Sequence, residues 1–146
     1  MADEFPDEYV LLQKRSEKMV FSYGTALYLW GMSDRVPHNI FVTVPQGFNS
    51  TRITKDNAKI KFHYVQKKVW NLGITFTDTS LGNKVMPYDK ERCICDLVME
   101  KKIDKQLYVQ AIKEYFKESY DVRKLMNYSR VFGIEEKIRD YMEVLA

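Results

Sequence analysis

The chain has 146 residues, 45% hydrophobic and 29% charged. That is enough to bury a core as one soluble domain, and it excludes a disordered or low-complexity chain. No apolar run approaches the roughly 18 residues of a membrane-spanning helix, and the acidic start, Met1 to Glu8, has no apolar signal core, so a cytoplasmic protein without a membrane partner is expected. The net charge is only +3, but residues 36–92 carry nine Lys and Arg against four Asp and Glu.

Residues 5–32 read as two helices. Pro6 suits a first helical position, where its missing N–H costs nothing, and Tyr9, Val10 and Leu12 then face inward. The second helix starts near Ser22, whose hydroxyl is placed to cap it, with Phe21 stapled onto Ala26. Ala26, Leu27, Leu29 and Trp30 make it apolar on most sides, and Gly31 is suited to end it in a left-handed conformation.

Residues 38–88 read as strands. Ile40, Val42 and Val44 share a face of one strand, and Pro45 stops it. In 59–64 the alternation places Ile60, Phe62 and Tyr64 inward and Lys59, Lys61 and His63 outward. The polar stretch from Gln46 to Asn57 reads as an exposed loop, and 66–72 as a short helical turn. Two short strands, with Ile74 and Phe76 inward, flank a turn at Ser80-Leu81-Gly82-Asn83.

Residues 89–145 read as four helices. Asp89 caps the first, which turns Ile94, Leu97 and Val98 inward. The second carries Leu107, Tyr108, Ala111, Ile112, Tyr115 and Phe116 at helical spacing; the third carries Val122, Leu125 and Met126 and ends before Gly133; the last carries Ile134, Ile138, Tyr141, Met142 and Leu145. The expected fold class is α+β over residues 1–146 as a single domain: a small, mostly antiparallel sheet preceded by two helices and followed by about four.

Chemistry-bearing constellations are few. No phosphate-binding glycine loop or metal-ligand spacing occurs, so no metal and no cofactor is expected. His38 and His63 are isolated and read as structural or surface residues. Cys93 and Cys95 point about 200° apart on a helix, which reads as two buried small hydrophobes rather than a dithiol. Arg92 and Asp96 are four apart and form a structural ion pair; a catalytic acid at Asp96 is the alternative. The basic excess, densest at Arg52, Lys55, Lys59, Lys61, Lys67 and Lys68, with Arg35 before it, either attracts nucleic acid or is a solvated strand face guarded by lysines.

Three segments carry a family resemblance. Ser22-Tyr23-Gly24-Thr25-Ala26-Leu27-Tyr28-Leu29-Trp30-Gly31-Met32-Ser33-Asp34-Arg35 resembles S-H-E-T-A-L-Y-L-H-G-L-S-D-R of the AbiEi-type antitoxins. Phe41-Val42-Thr43-Val44-Pro45-Gln46-Gly47-Phe48-Asn49 resembles their T-V-P-x-G-Y-N, and Tyr88-Asp89-Lys90-Glu91-Arg92-Cys93-Ile94-Cys95-Asp96-Leu97 their Y-D-x-E-R-T-I-C-D-L. With the closing helix after Gly133-Ile134, the likeness runs over about residues 5–145. Tyr23-Gly24 replaces the family's His-Glu and Trp30 its second His, so chemistry by those groups is not expected here.

The resemblance implies a non-enzymatic antitoxin domain of a bacterial type IV abortive-infection pair. Its functional partner would be an AbiEii-like nucleotidyltransferase toxin, opposed without a stable complex. Family members place a winged helix-turn-helix ahead of this domain, and nothing of that kind precedes Phe5. Operon repression would belong to that module, with the present domain adding positive surface to DNA binding. Two other readings stand beside this one. One is a small enzyme that acts on nucleic acid or reverses the toxin's modification, motivated by Asp96 and Arg92 near Asp89 and Glu91. The other is a regulatory or dimerisation module.

Overall fold

The computed structural model describes residues 7–33, 36–101 and 108–145. Pro6, Arg35 and Leu107, each given a role above, lie outside them.

Helix α1 (Glu8–Gln13) begins where the Asp7 carboxylate accepts the backbone N–H groups of Tyr9 and Val10. The same carboxylate accepts from the Thr79 hydroxyl and the Asn83 amide, so the cap also ties the helix to a distant hairpin. A two-residue strand, β1 (Val20–Phe21), precedes helix α2 (Tyr23–Leu29). Ser22 occupies the cap position of α2 but does not cap it; its hydroxyl accepts from Thr43 Oγ1 at 2.8 Å. Helix α2 ends as its glycine dictates: Gly31 has φ +73°, its N–H reaches Tyr28, and the Met32 N–H reaches back to Leu27 at 2.8 Å.

Strand β2 (Ile40–Pro45) lies between β1 and β3 (Ile60–Val65). The fold is α+β, and two of its three strand pairings are antiparallel. The longest is not: β2 and β3 run parallel over six residue pairs, from Ile40↔Ile60 to Pro45↔Val65. The reason lies in the connection read from sequence as a loop. It contains helix α3 (Thr51–Asp56), and a strand–helix–strand crossover returns the chain in the same direction. The turn at 66–72 is helix α4 (Lys67–Trp70). Strands β4 (Thr77–Asp78) and β5 (Lys84–Val85) form the expected hairpin, with Gly82 at φ +83° in its turn. Helices α5 (Lys90–Met99), α6 (Val109–Lys117), α7 (Val122–Phe132) and α8 (Glu135–Leu145) follow, and Gly133 ends α7 at φ +69°.

The main sheet has a hydrophobic cluster on each face. Ile40, Val42, Val44 and Ile60 pack with Leu12 of α1, Ile53 of α3 and Val85 of the hairpin. Phe21 belongs to this cluster, edge-on to Tyr9, so it does not staple onto Ala26, which is buried in the other one. That larger cluster joins α2 to α5, α6, α7 and α8 through Leu27, Ile94, Leu97, Ile112, Phe116, Leu125 and Ile138. Three expected inward residues are in fact exposed: Tyr64, Phe76 and Val122. Among the described residues no helix is long and apolar enough to cross a membrane.

Candidate nucleic-acid interface and the polar core beneath it

The sequence places its densest positive charge on α3, β3 and α4, and the fold distributes it around one sheet edge. In the order β1-β2-β3, strand β3 is the edge strand. Arg52 and Lys55 are exposed on α3, whose Ile53 packs on the Ile40–Val44 face. Lys61 alternates with Ile60 and Phe62, so it leaves the strand on the opposite face, beside His63. Lys59 immediately precedes β3, and Lys67 and Lys68 open α4, whose Trp70 packs into the larger core. Arg52 and Lys55 thus stand on the helix over one face of the sheet, and Lys61 leaves the other face. Lys59 lies 3.9 Å from Glu8, and the one acid among them, Asp56, is held by Arg15 at 2.8 Å.

His63 departs from its expected outward place. Its ring stacks on Tyr23 at 4.2 Å and lies 6.2 Å from Phe41. Tyr23 itself has φ +49°, the one non-glycine residue with positive φ among those described. Burial disfavours the imidazolium and lowers the His63 pKa, with Glu100 pulling the other way. A depressed histidine contributes stability that is whole above its ordinary 6.5 and is lost as pH falls below it. His63→Phe keeps the stacking and removes the titration. Thermal melts from pH 7 to 5 are expected to show the wild type losing more stability than this variant; parallel losses would mean His63 is not the group responsible.

A polar core is centred on α5. The predicted ion pair is present: Arg92 Nε donates to Asp96 Oδ1 at 2.9 Å, both side chains being almost fully buried. Arg92 does more than its spacing shows. Its Nη1 donates to the carbonyls of Val69 and Leu72 at 2.6 and 2.7 Å, and its guanidinium lies over the rings of Tyr88 and Phe132 at 4.0 and 4.9 Å. One side chain thus closes the end of α4 onto α5. Asp96 Oδ2 is buried without a hydrogen-bond partner. Burial raises the Asp96 pKa to about 6 against the pull of Arg92. Asp96 is 4% exposed, with its carboxylate against Arg92 rather than open to solvent.

Asp89 caps α5 as expected, accepting the Arg92 N–H at 2.8 Å, and its other oxygen accepts from the Tyr128 hydroxyl at 2.7 Å. Glu91 is buried too, accepting from the Tyr115 hydroxyl at 2.9 Å. Lys124 Nζ stands 3.7 Å from Asp89 and 3.6 Å from Glu91. These contacts, each crossing more than twenty residues of sequence, dock α6 and α7 on the start of α5. Among the described residues no group of three His, Cys, Asp or Glu is placed to hold a metal ion.

The cysteines are buried apart. Cys93 Sγ approaches the Tyr88 carbonyl and Cys95 Sγ the Ser129 hydroxyl. Burial pushes the Cys95 thiol to about 12 and raises Cys93 well above the usual thiol range. Neither thiol is expected to react with an aromatic disulfide reagent until the chain unfolds; titration of either in the native protein would contradict their burial.

Compared with models of known families and with curated proteins, the chain matches neither.

Proposed function

We propose that this chain is the antitoxin domain of a bacterial type IV toxin–antitoxin pair. In this reading it counters a nucleotidyltransferase-like toxin in the cytoplasm without a stable complex, and lends basic surface to the DNA binding that autoregulates the operon. One observation carries the reading: the three segments that resemble the AbiEi-type antitoxins, far apart in sequence, interlock. The Ser22 N–H donates to the Phe41 carbonyl and the Phe41 N–H to Thr25 Oγ1 at 2.8 Å, joining the first segment to the second. Trp30 Nε1 donates to the Tyr88 carbonyl at 2.7 Å, joining the first to the third. Thr25 is shared with the family pattern while Trp30 stands where the family has His, so the joins support the reading through Thr25 and the backbone.

The test is co-expression with the cognate nucleotidyltransferase-like toxin and a count of survivors. Rescue is expected. Absence of rescue by soluble, folded chain would sink the reading. A variant with Lys59→Glu, Lys61→Glu, Lys67→Glu and Lys68→Glu separates the DNA role. Its affinity for duplex operator DNA is expected to fall at least about tenfold at ~0.1 M salt, with a salt slope shallower by about 0.9 for each phosphate contact removed. An unchanged slope would rule out phosphate contacts by these lysines.

A further inference from the structure

The edge strand β3 carries more than charge. Alternation sends Phe62 and Tyr64 to the face away from Lys61, where the sheet is only half covered. Phe48, from the loop before α3, stacks on Phe62 with centroids 5.9 Å apart and planes 26° apart. Phe62 lies 6.4 Å from Tyr64. Tyr64 is 45% exposed, and its hydroxyl donates to Ser50 Oγ at 2.6 Å, which restrains the ring's orientation. Three aromatic rings thus lie in a row, the exposed Tyr64 and the half-buried Phe62 and Phe48 that pack against the core, with Arg52 and Lys55 exposed on the helix before the strand and Lys61, Lys67 and Lys68 exposed on the strand and the helix after it. Among the described residues, those five cations have no carboxylate within ion-pair distance.

The backbone of the same strand is open. The Lys59 and Val65 carbonyls accept from Ile40 and Gln46, so the odd-numbered residues turn their backbone toward β2. In an extended chain the even-numbered ones turn outward, which leaves the N–H and C=O of Phe62 and Tyr64 at the free edge.

We propose that the free edge of β3 is a stacking platform for single-stranded nucleic acid, with bases on Tyr64 and the Phe62–Phe48 pair and phosphates on the flanking cations. This rests on the nucleic-acid reading above and narrows its ligand. A duplex satisfies its bases with one another and offers phosphates alone, so it has no use for an exposed ring with two half-buried ones beside it or for a free backbone edge. An unpaired strand offers phosphates, ring faces and base edges at once, and so matches all three features. An acidic protein segment would match the cations but not the row of rings.

The test is fluorescence anisotropy with labelled 15-nucleotide probes: oligo-uridine, oligo-deoxythymidine and a duplex of equal length. The proteins are wild type, Tyr64→Leu and the four-lysine charge reversal, each checked for folding by its melting curve. Wild type is expected to bind single strands more tightly than duplex. Tyr64→Leu is expected to lose about tenfold for single strands, the loss typical of one stacked base, with its salt slope and its duplex affinity unchanged. The ribose and deoxyribose arms tell whether RNA or DNA is preferred. Duplex binding as tight as single-strand binding, or an inert Tyr64→Leu, would overturn the platform while leaving salt-dependent duplex binding, and so the parent reading, in place. Indifference to both Tyr64→Leu and charge reversal would overturn both. Self-association of the wild type in sedimentation that Tyr64→Leu abolishes would assign the face to a second copy and also overturn the platform.

Discussion

Asp96→Ala is expected to cost about 3–5 kcal/mol of folding stability, the usual result of leaving a buried charge without its partner. For a domain of this size that lowers the melting temperature by on the order of 10 °C. Asp96 is the only carboxylate bonded to the Arg92 guanidinium among the described residues, and Arg92 is 1% exposed. Asp96→Asn keeps an acceptor for Arg92 Nε and should lose less. Its deficit against wild type should widen as pH falls from 6 toward 4. Burial raises the Asp96 pKa from 3.8 to about 6, so the folded protein binds that proton more tightly than the unfolded chain. The stabilisation this gives is present below 3.8 and disappears as pH rises through about 6, and asparagine lacks it. Replacing both partners, Arg92→Met with Asp96→Leu, should recover only part of the loss. Arg92 also serves the Val69 and Leu72 carbonyls, each of which costs about 1–3 kcal/mol when left buried and unsatisfied. Denaturant melts of the three variants check this; a loss below about 1 kcal/mol for Asp96→Ala would mean some other group neutralises Arg92.

Much of this architecture is local, and the local part was legible in the sequence. The Ile40–Val44 alternation, the Asp89 cap, the glycine ends at Gly31 and Gly133 and the four-residue spacing of Arg92 and Asp96 each depend on a few neighbours. What sequence reading missed depends on pairings across the chain. Two residues of β1 become a strand only because β2 lies beside them, and the β2–β3 direction is set by a six-residue helix inside a polar stretch that reads as loop. His63 shares its alternation with two lysines, so its stacking on Tyr23 has no signal in its own strand. The basic residues of the candidate interface are visible as charge, whereas the alternation that turns Phe62 inward also sends Tyr64 inward, and Tyr64 is exposed. An alternating strand has an inward face on paper, but β3 is at the edge, and α3 covers that face only in part. The position of a strand within its sheet, which decides whether an aromatic ring is packing or platform, is not a property of that strand's residues alone.

The second large effect is expected at Gly73→Ala, about 3 kcal/mol, from two causes that add. Gly73 has φ +90°, a conformation that a side chain makes unfavourable wherever it occurs. A Cβ there would also lie 2.9 Å from Arg92 Cβ and 3.2 Å from Asp89 Oδ1. Neither neighbour can give way cheaply. Arg92 Cβ is fixed to the backbone of α5, and its guanidinium is held by Asp96 and two carbonyls. Asp89 Oδ1 caps that helix, and the Asp89 N–H donates to the Gly73 carbonyl at 2.7 Å. A shift that relieved the clash would therefore disturb the helix cap, the ion pair and the closure of α4 together. Gly47→Ala provides the control, since Gly47 has φ +94° but nothing within 4 Å of its Cβ position. It bears the backbone cost alone, about 1 kcal/mol. Urea midpoints for the two variants measure the difference directly. Equal losses would mean that the loop carrying Gly73 moves away from α5 freely, and that Arg92 does not hold it against the helix.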